Sequence, residues 1–66
     1  MAPADPPVIP TPNQIREARA ATGMSAREAA ETIHSTLRTW QDWERGIAKM
    51  HPGLWELFVI KIREKS

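Results

Sequence analysis

A chain of 66 residues with 41% hydrophobic content holds material for one small domain. It has no cysteine, so neither disulfides nor thiolate metal sites brace it. Nine Lys+Arg against eight Asp+Glu leave a net charge of +1. Charge alone therefore gives no argument for nucleic acid; a DNA-binding face would have to gather its cations locally, and a lone subunit would bind weakly. No apolar run is long enough to span a membrane and no signal peptide is visible, so the expectation is a cytoplasmic protein.

In chain order, residues 1–10 come first, with Pro3, Pro6, Pro7 and Pro10. Such a segment resists helix and ladder formation, which predicts an extended or disordered tail, with Val8 and Ile9 packing onto the domain. Its one charged side chain is Asp5, so it lacks the Arg or Lys of a minor-groove arm. Thr11, Pro12 and Gln14 then mark a helix start: Thr11 caps, Pro12 suits the first helical position and Gln14 completes a capping box. This helix runs to about Thr22 and stops at Gly23, with Ile15 and Ala18 toward the core and Arg16 and Arg19 in solvent. Ser25 and Glu28 form a second capping box. The helix behind it has a narrow apolar face of Ala26, Ala29, Ala30 and Ile33, and the small side chains invite the next helix to cross at Ala29 and Ala30. A tight turn follows, with His34 where a left-handed residue is expected.

Thr36 to Gly46 reads as a helix marked at both ends, capped by Thr36 and ended by Gly46. Leu37, Trp40 and Trp43 (or Glu44) recur on one side, and Arg38, Thr39, Gln41, Asp42 and Arg45 occupy the other. All of the latter can hydrogen-bond base edges or phosphates, so the segment alone fits a major-groove reader and a merely solvated face equally. Pro52 opens a fourth helix with His51 as cap. Leu54, Trp55, Leu57, Phe58, Val59, Ile60 and Ile62 make it apolar nearly all round. The reading favoured is two buried surfaces, one on the domain and one on a second subunit, with Leu54, Trp55, Phe58, Val59 and Ile62 as dimerisation residues. The expected fold is all-α, a compact four-helix domain over residues 11–66 behind the tail of residues 1–10.

An enzyme is not expected. His34 and His51 are not at metal-ligand spacing, no nucleophile–base pair or phosphate-cradling loop is present, and the chain is too short for a deep pocket. No cofactor, metal or small-molecule ligand is expected. The Trp40 and Trp43 pair could be a stacking platform for single strands, but at helical spacing core packing is the favoured reading. A protein-interaction module or antitoxin-like adaptor, using the apolar fourth helix, is the alternative function; Arg38 with Gln41 is what such an adaptor would not need.

Two short capped helices joined by a tight turn, the second ending Trp43, Glu44, Arg45, Gly46, resemble the Cro/C1-type (XRE) helix-turn-helix family, ungapped from Met24 to Gly46 and extending to about Lys61. With Lys49 and Met50, then Leu54 to Phe58, the run looks like the small anti-CRISPR-associated (Aca) regulators of phages and mobile elements. The resemblance implies a lambda-repressor-like fold with a helix-turn-helix. It also implies a repressor in a bacterial host cell that binds an inverted-repeat operator as a homodimer and limits its own operon. Carried over, the base-reading positions fall on Leu37, Arg38, Gln41 and Asp42, with Thr39 adjacent. Arg38 would hold a guanine, and Gln41 would read adenine. Asp42 would accept from cytosine or, in the reading preferred here, orient Arg38 or Arg45. Arg27, Thr36, Arg45 and Lys49 are the phosphate candidates. The chain departs from the family at Ala26, where a polar phosphate contact is usual; at Ala29 and Trp40, a smaller and a larger residue than usual; and at His34, where the turn has glycine. The fifth helix of longer relatives is absent.

Overall fold

The computed structural model describes residues 9–65, Lys65 by its backbone alone, and places four helices in them: α1 Pro12–Thr22, α2 Ala26–Thr32, α3 Leu37–Arg45 and α4 Pro52–Lys65. Among the described residues there is no strand. Each start is set by a side chain that takes up backbone donors a helix leaves without partners. Thr11 Oγ1 accepts from the Gln14 N–H at 3.1 Å while Gln14 Oε1 accepts from the Thr11 N–H at 2.9 Å. Ser25 and Glu28 repeat the arrangement at 3.1 and 3.0 Å. Thr36 Oγ1 accepts from the Thr39 N–H at 3.2 Å, and His51 Nδ1 accepts from the Gly53 N–H at 2.9 Å. A Cβ at position 53 would lie 3.1 Å from that same Nδ1, so the glycine admits the histidine cap.

The stops are equally local. Gly23 and Gly46 turn into the left-handed region at φ 76° and 80° and end α1 and α3. α2 ends without a glycine: Ile33 closes it at φ −116°, and His34 takes φ +59°, a conformation that costs a side chain roughly 1–2 kcal/mol. The Ser35 N–H reaches back to the Ala30 carbonyl at 2.8 Å and closes the turn into α3.

The core forms around Trp40, which is fully buried. Ala29 and Ala30 of α2, also fully buried, let α3 approach, and the Trp40 indole fills the space their methyl groups leave. Its ring lies 4.9 Å from that of Phe58 and 5.7 Å from that of Trp43, tilted at 57° and 66°, the offset geometry that aromatic quadrupoles favour. Ile15, Ile33 and Met50 complete the buried set. A burial of this kind is worth about 4 kcal/mol for one indole, which makes Trp40 the largest single apolar contribution available to so small a domain.

Of the residues expected at a dimer interface, Phe58 is fully buried within its own chain against Trp40. Leu54, Trp55 and Ile62, expected at the same interface, are half-buried and packed against the core, and the large apolar side chain that α4 leaves in solvent is Ile60. The reason is phase: a helix apolar all round turns inward whichever side its neighbours need, and Trp40 needs Phe58. At the N-terminal end, Pro10 is buried while Ile9 stays half-exposed; the remainder of the expected tail, Val8 included, lies outside the described residues. Among the described residues, no helix is long and apolar enough to cross a membrane.

Candidate nucleic-acid interface

α3 separates two chemistries by its own period. Trp40 and Trp43 face the core, and Glu44, one turn beyond Trp40, follows them inward. Arg38, Gln41 and Arg45, at spacings of three and four, therefore share the opposite face, and all three are exposed. Asp42 lies beside them, half-buried, as do Leu37 and Thr39 nearer the start of the helix. The outward face thus presents two guanidinium forks, one carboxamide and one carboxylate.

Neither fork is committed to Asp42. Among the described residues the Asp42 carboxylate makes no ion pair with Arg38 or Arg45, which corrects the expectation that it orients one of them. It is instead the Asp42 carbonyl that has a structural task, accepting from the N–H groups of Ile47 at 2.9 Å and Ala48 at 3.3 Å as the chain leaves the helix. Thr36 and Thr39 are tied to one another: the Thr36 hydroxyl donates to Thr39 Oγ1 at 2.9 Å besides capping the helix. Arg27 in the first turn of α2 and Lys49 after α3 are exposed, on elements flanking α3 rather than on it.

What holds α3 at a fixed angle is an arrangement sequence reading missed. The Arg19 fork of α1 grips the Glu44 carboxylate, Nε to Oε2 at 2.6 Å and Nη2 to Oε1 at 3.1 Å, while its Nη1 donates to the Met24 carbonyl at 3.2 Å. The Trp40 indole N–H donates to the same Glu44 Oε2, and Arg16 Nη2 donates to the Glu44 carbonyl at 2.9 Å. Arg19 is thus bound to α3 and sheltered, whereas Arg16 touches α3 and keeps 54% of its side chain in solvent. Side-chain exposure is 13% for Glu44 and 24% for Arg19, so the pair is screened less than a surface ion pair. Burial pushes the Glu44 carboxyl upward, but the hydrogen bonds from Arg19 and Trp40 and the charges of Arg19 and Arg16 outweigh it, and the group ends below the ordinary glutamate value. Arg19 is raised, chiefly by its hydrogen bond to Glu44. The signal available in sequence was spacing: Arg19 follows Ile15 by four and Glu44 follows Trp40 by four, so both lie over a buried residue.

Among the described residues, no group of three or more His, Cys, Asp or Glu side chains comes together as a metal site. No family model matches the chain. Over 54 residues, 82% of its length, it is 30% identical to the type II methyltransferase M.MspI of a Moraxella species, and it spans 13% of that protein's length.

Proposed function

We propose that this chain is a sequence-specific double-stranded DNA-binding repressor, with α2 and α3 as a helix-turn-helix and α3 as the helix that enters the major groove. The observation that carries the reading is the outward face of α3: exposed Arg38 and Arg45, in no ion pair among the described residues, with Gln41 between them, on a helix fastened from behind by two buried indoles and the Arg19–Glu44 fork. Arg38 reads guanine through O6 and N7, Gln41 reads adenine, and Asp42, free of both arginines, accepts from the cytosine amino group. Leu37 and Thr39 meet the thymine methyl or backbone beside them. Arg27, Thr36, Arg45 and Lys49 take phosphates and set the register.

A net charge of +1 supports few phosphate contacts, so the functional unit in this reading is a homodimer that reads an inverted repeat with half-sites about 34 Å apart. Ile60, with half-buried Val59 beside it, is the apolar surface α4 offers to a second copy. In this reading the chain represses its own operon. Identity to a short part of a longer methyltransferase fits a module that also occurs inside larger chains.

The test is fluorescence anisotropy with DNA from upstream of the chain's own gene, over a salt series, against a scrambled duplex. The expected result is tight binding to the native sequence alone with two subunits per site. Arg38→Ala should lower specific affinity about tenfold to a hundredfold at unchanged melting temperature. Equal, steeply salt-dependent binding to both duplexes would remove the specific-repressor reading, and no binding at low salt would remove DNA altogether and leave an adaptor.

A further inference from the structure

The acid on the α3 reading face carries information that the two guanidinium forks do not. Asp42 stands between exposed Arg38 and Arg45 in the chain and is half-buried, and among the described residues its carboxylate takes part in no hydrogen bond or ion pair. Its backbone is fixed, because the Ile47 and Ala48 N–H groups both donate to the Asp42 carbonyl. With a net charge of only +1, a carboxylate on a face that approaches phosphates weakens binding unless a base compensates for it.

Few bases can. An ionised carboxylate only accepts hydrogen bonds. Most polar groups in the major groove are acceptors as well: guanine O6 and N7, adenine N7 and thymine O4. The donors there are the amino groups of cytosine and adenine, and on adenine the acceptor N7 lies beside the amino group. Cytosine N4 is therefore the donor that meets Asp42 without a neighbouring lone pair on the same base. In a paired cytosine one N4 hydrogen bonds to guanine O6 and the other points into the major groove. A methyl group on N4 that leaves the base pair intact takes the place of that second hydrogen. A carboxylate set against the methyl loses water and gains no partner.

We propose that α3 selects cytosine whose amino group is unmodified, so that N4-methylation of the operator releases the protein. Asp42 makes the distinction; Arg38 and Gln41, which read guanine and adenine, do not touch the modified atom. The inference rests on the DNA reading and names the chemical state of the base that this site accepts.

The experiment measures fluorescence anisotropy of the full chain with the duplex from upstream of its own gene, remade with N4-methylcytosine at one cytosine at a time. At one cytosine in each half-site the methyl group should lower wild-type affinity about tenfold to a hundredfold. Asp42→Ala should bind modified and unmodified duplexes equally at that position. Its melting temperature should stay put, since the side chain has no partner to lose among the described residues. Wild-type affinity that stays within about twofold at every modified cytosine would overturn the inference and leave the DNA reading standing. A loss that persists in full in Asp42→Ala would also overturn it, by assigning the exclusion of the methyl group to another residue. No binding of wild type to the unmodified duplex would remove the DNA reading and this inference with it.

Discussion

Glu44 is the residue whose removal tests the architecture most directly. Its carboxylate takes two donors from the Arg19 fork and one from the Trp40 indole, at 13% side-chain exposure. Hydrogen bonds to charged groups contribute about 1.5–3 kcal/mol each, and stripping one partner from a sheltered pair costs about 3–5 kcal/mol when the other charge is left behind. Arg19 keeps the Met24 carbonyl and some water, which places Glu44→Ala near the lower end, about 3 kcal/mol, and Glu44→Gln, which retains an acceptor, at about 2 kcal/mol. Total stability for a domain this size is about 3–5 kcal/mol, so the alanine variant should keep about 2 kcal/mol or less and be partly unfolded at room temperature, and the glutamine variant should melt about 10–15 °C lower. The sign with pH follows from the depressed Glu44 carboxyl. A lowered carboxyl stabilises the fold fully above its unfolded value of about 4.3 and loses that contribution as pH falls through the lower folded value. Circular-dichroism melts should therefore show a wide gap between wild type and Glu44→Gln at pH 7 that narrows below about pH 4. A double-mutant cycle with Arg19→Met should give a coupling of about 2 kcal/mol. Additive losses, or a gap that does not change with acid, would refute the Arg19–Glu44 grip as a source of stability.

Other perturbations separate the rest of the fold. His34→Gly relieves the side-chain cost of φ +59° in an exposed turn and should stabilise the domain by about 0.5–1 kcal/mol in urea melts, after the extra backbone entropy of glycine is set against it. Phe58→Ala opens a hole against Trp40 and should cost about 3–5 kcal/mol, enough to abolish the cooperative melt. Ile60→Asp touches no core contact; if the proposed homodimer forms through this part of α4, sedimentation should show the variant monomeric with the helical spectrum intact. A dimer that survives Ile60→Asp would move the subunit interface off this part of α4.

What was legible in the sequence was whatever is decided within a turn of helix. Thr11 with Gln14, Ser25 with Glu28, Thr36 and His51 as caps, and Gly23 and Gly46 as stops each depend on residues at most a few places away, and all are found as read. The crossing of α3 at Ala29 and Ala30 was also readable, because small side chains beside a bulky indole leave one way to fill the volume. What was not legible depends on how helices are placed in space. Arg19 and Glu44 are 25 positions apart, and nothing in either helix alone says that the two faces meet. Phe58 and Ile60 are both large and apolar in a helix without a polar side, so sequence gives the helix but not its rotation. Asp42 stands at spacings of four and three from Arg38 and Arg45, which permits a pair without requiring one; the half-buried carboxylate makes neither.

The corrections share a consequence for how α3 can work. In a nine-residue helix the core side is claimed by Trp40, Trp43 and Glu44, and the ends by Thr36 and Gly46. Every cation that could have been drawn inward is supplied from α1 instead, by Arg19 and Arg16. Glu44 is taken up by Arg19 and Arg16, and Arg38 and Arg45, on the opposite face of α3, make no ion pair among the described residues. If Glu44→Gln frees Arg19 and lets α3 rock, specific DNA affinity should fall further than Arg38→Ala alone explains, since a reading helix displaced by about 1 Å misplaces all of its contacts together. The two effects part cleanly in an anisotropy assay on folded protein below the melting temperature. Arg38→Ala should relax the preference at one base pair, whereas Glu44→Gln should weaken binding to every variant of the site by a similar factor.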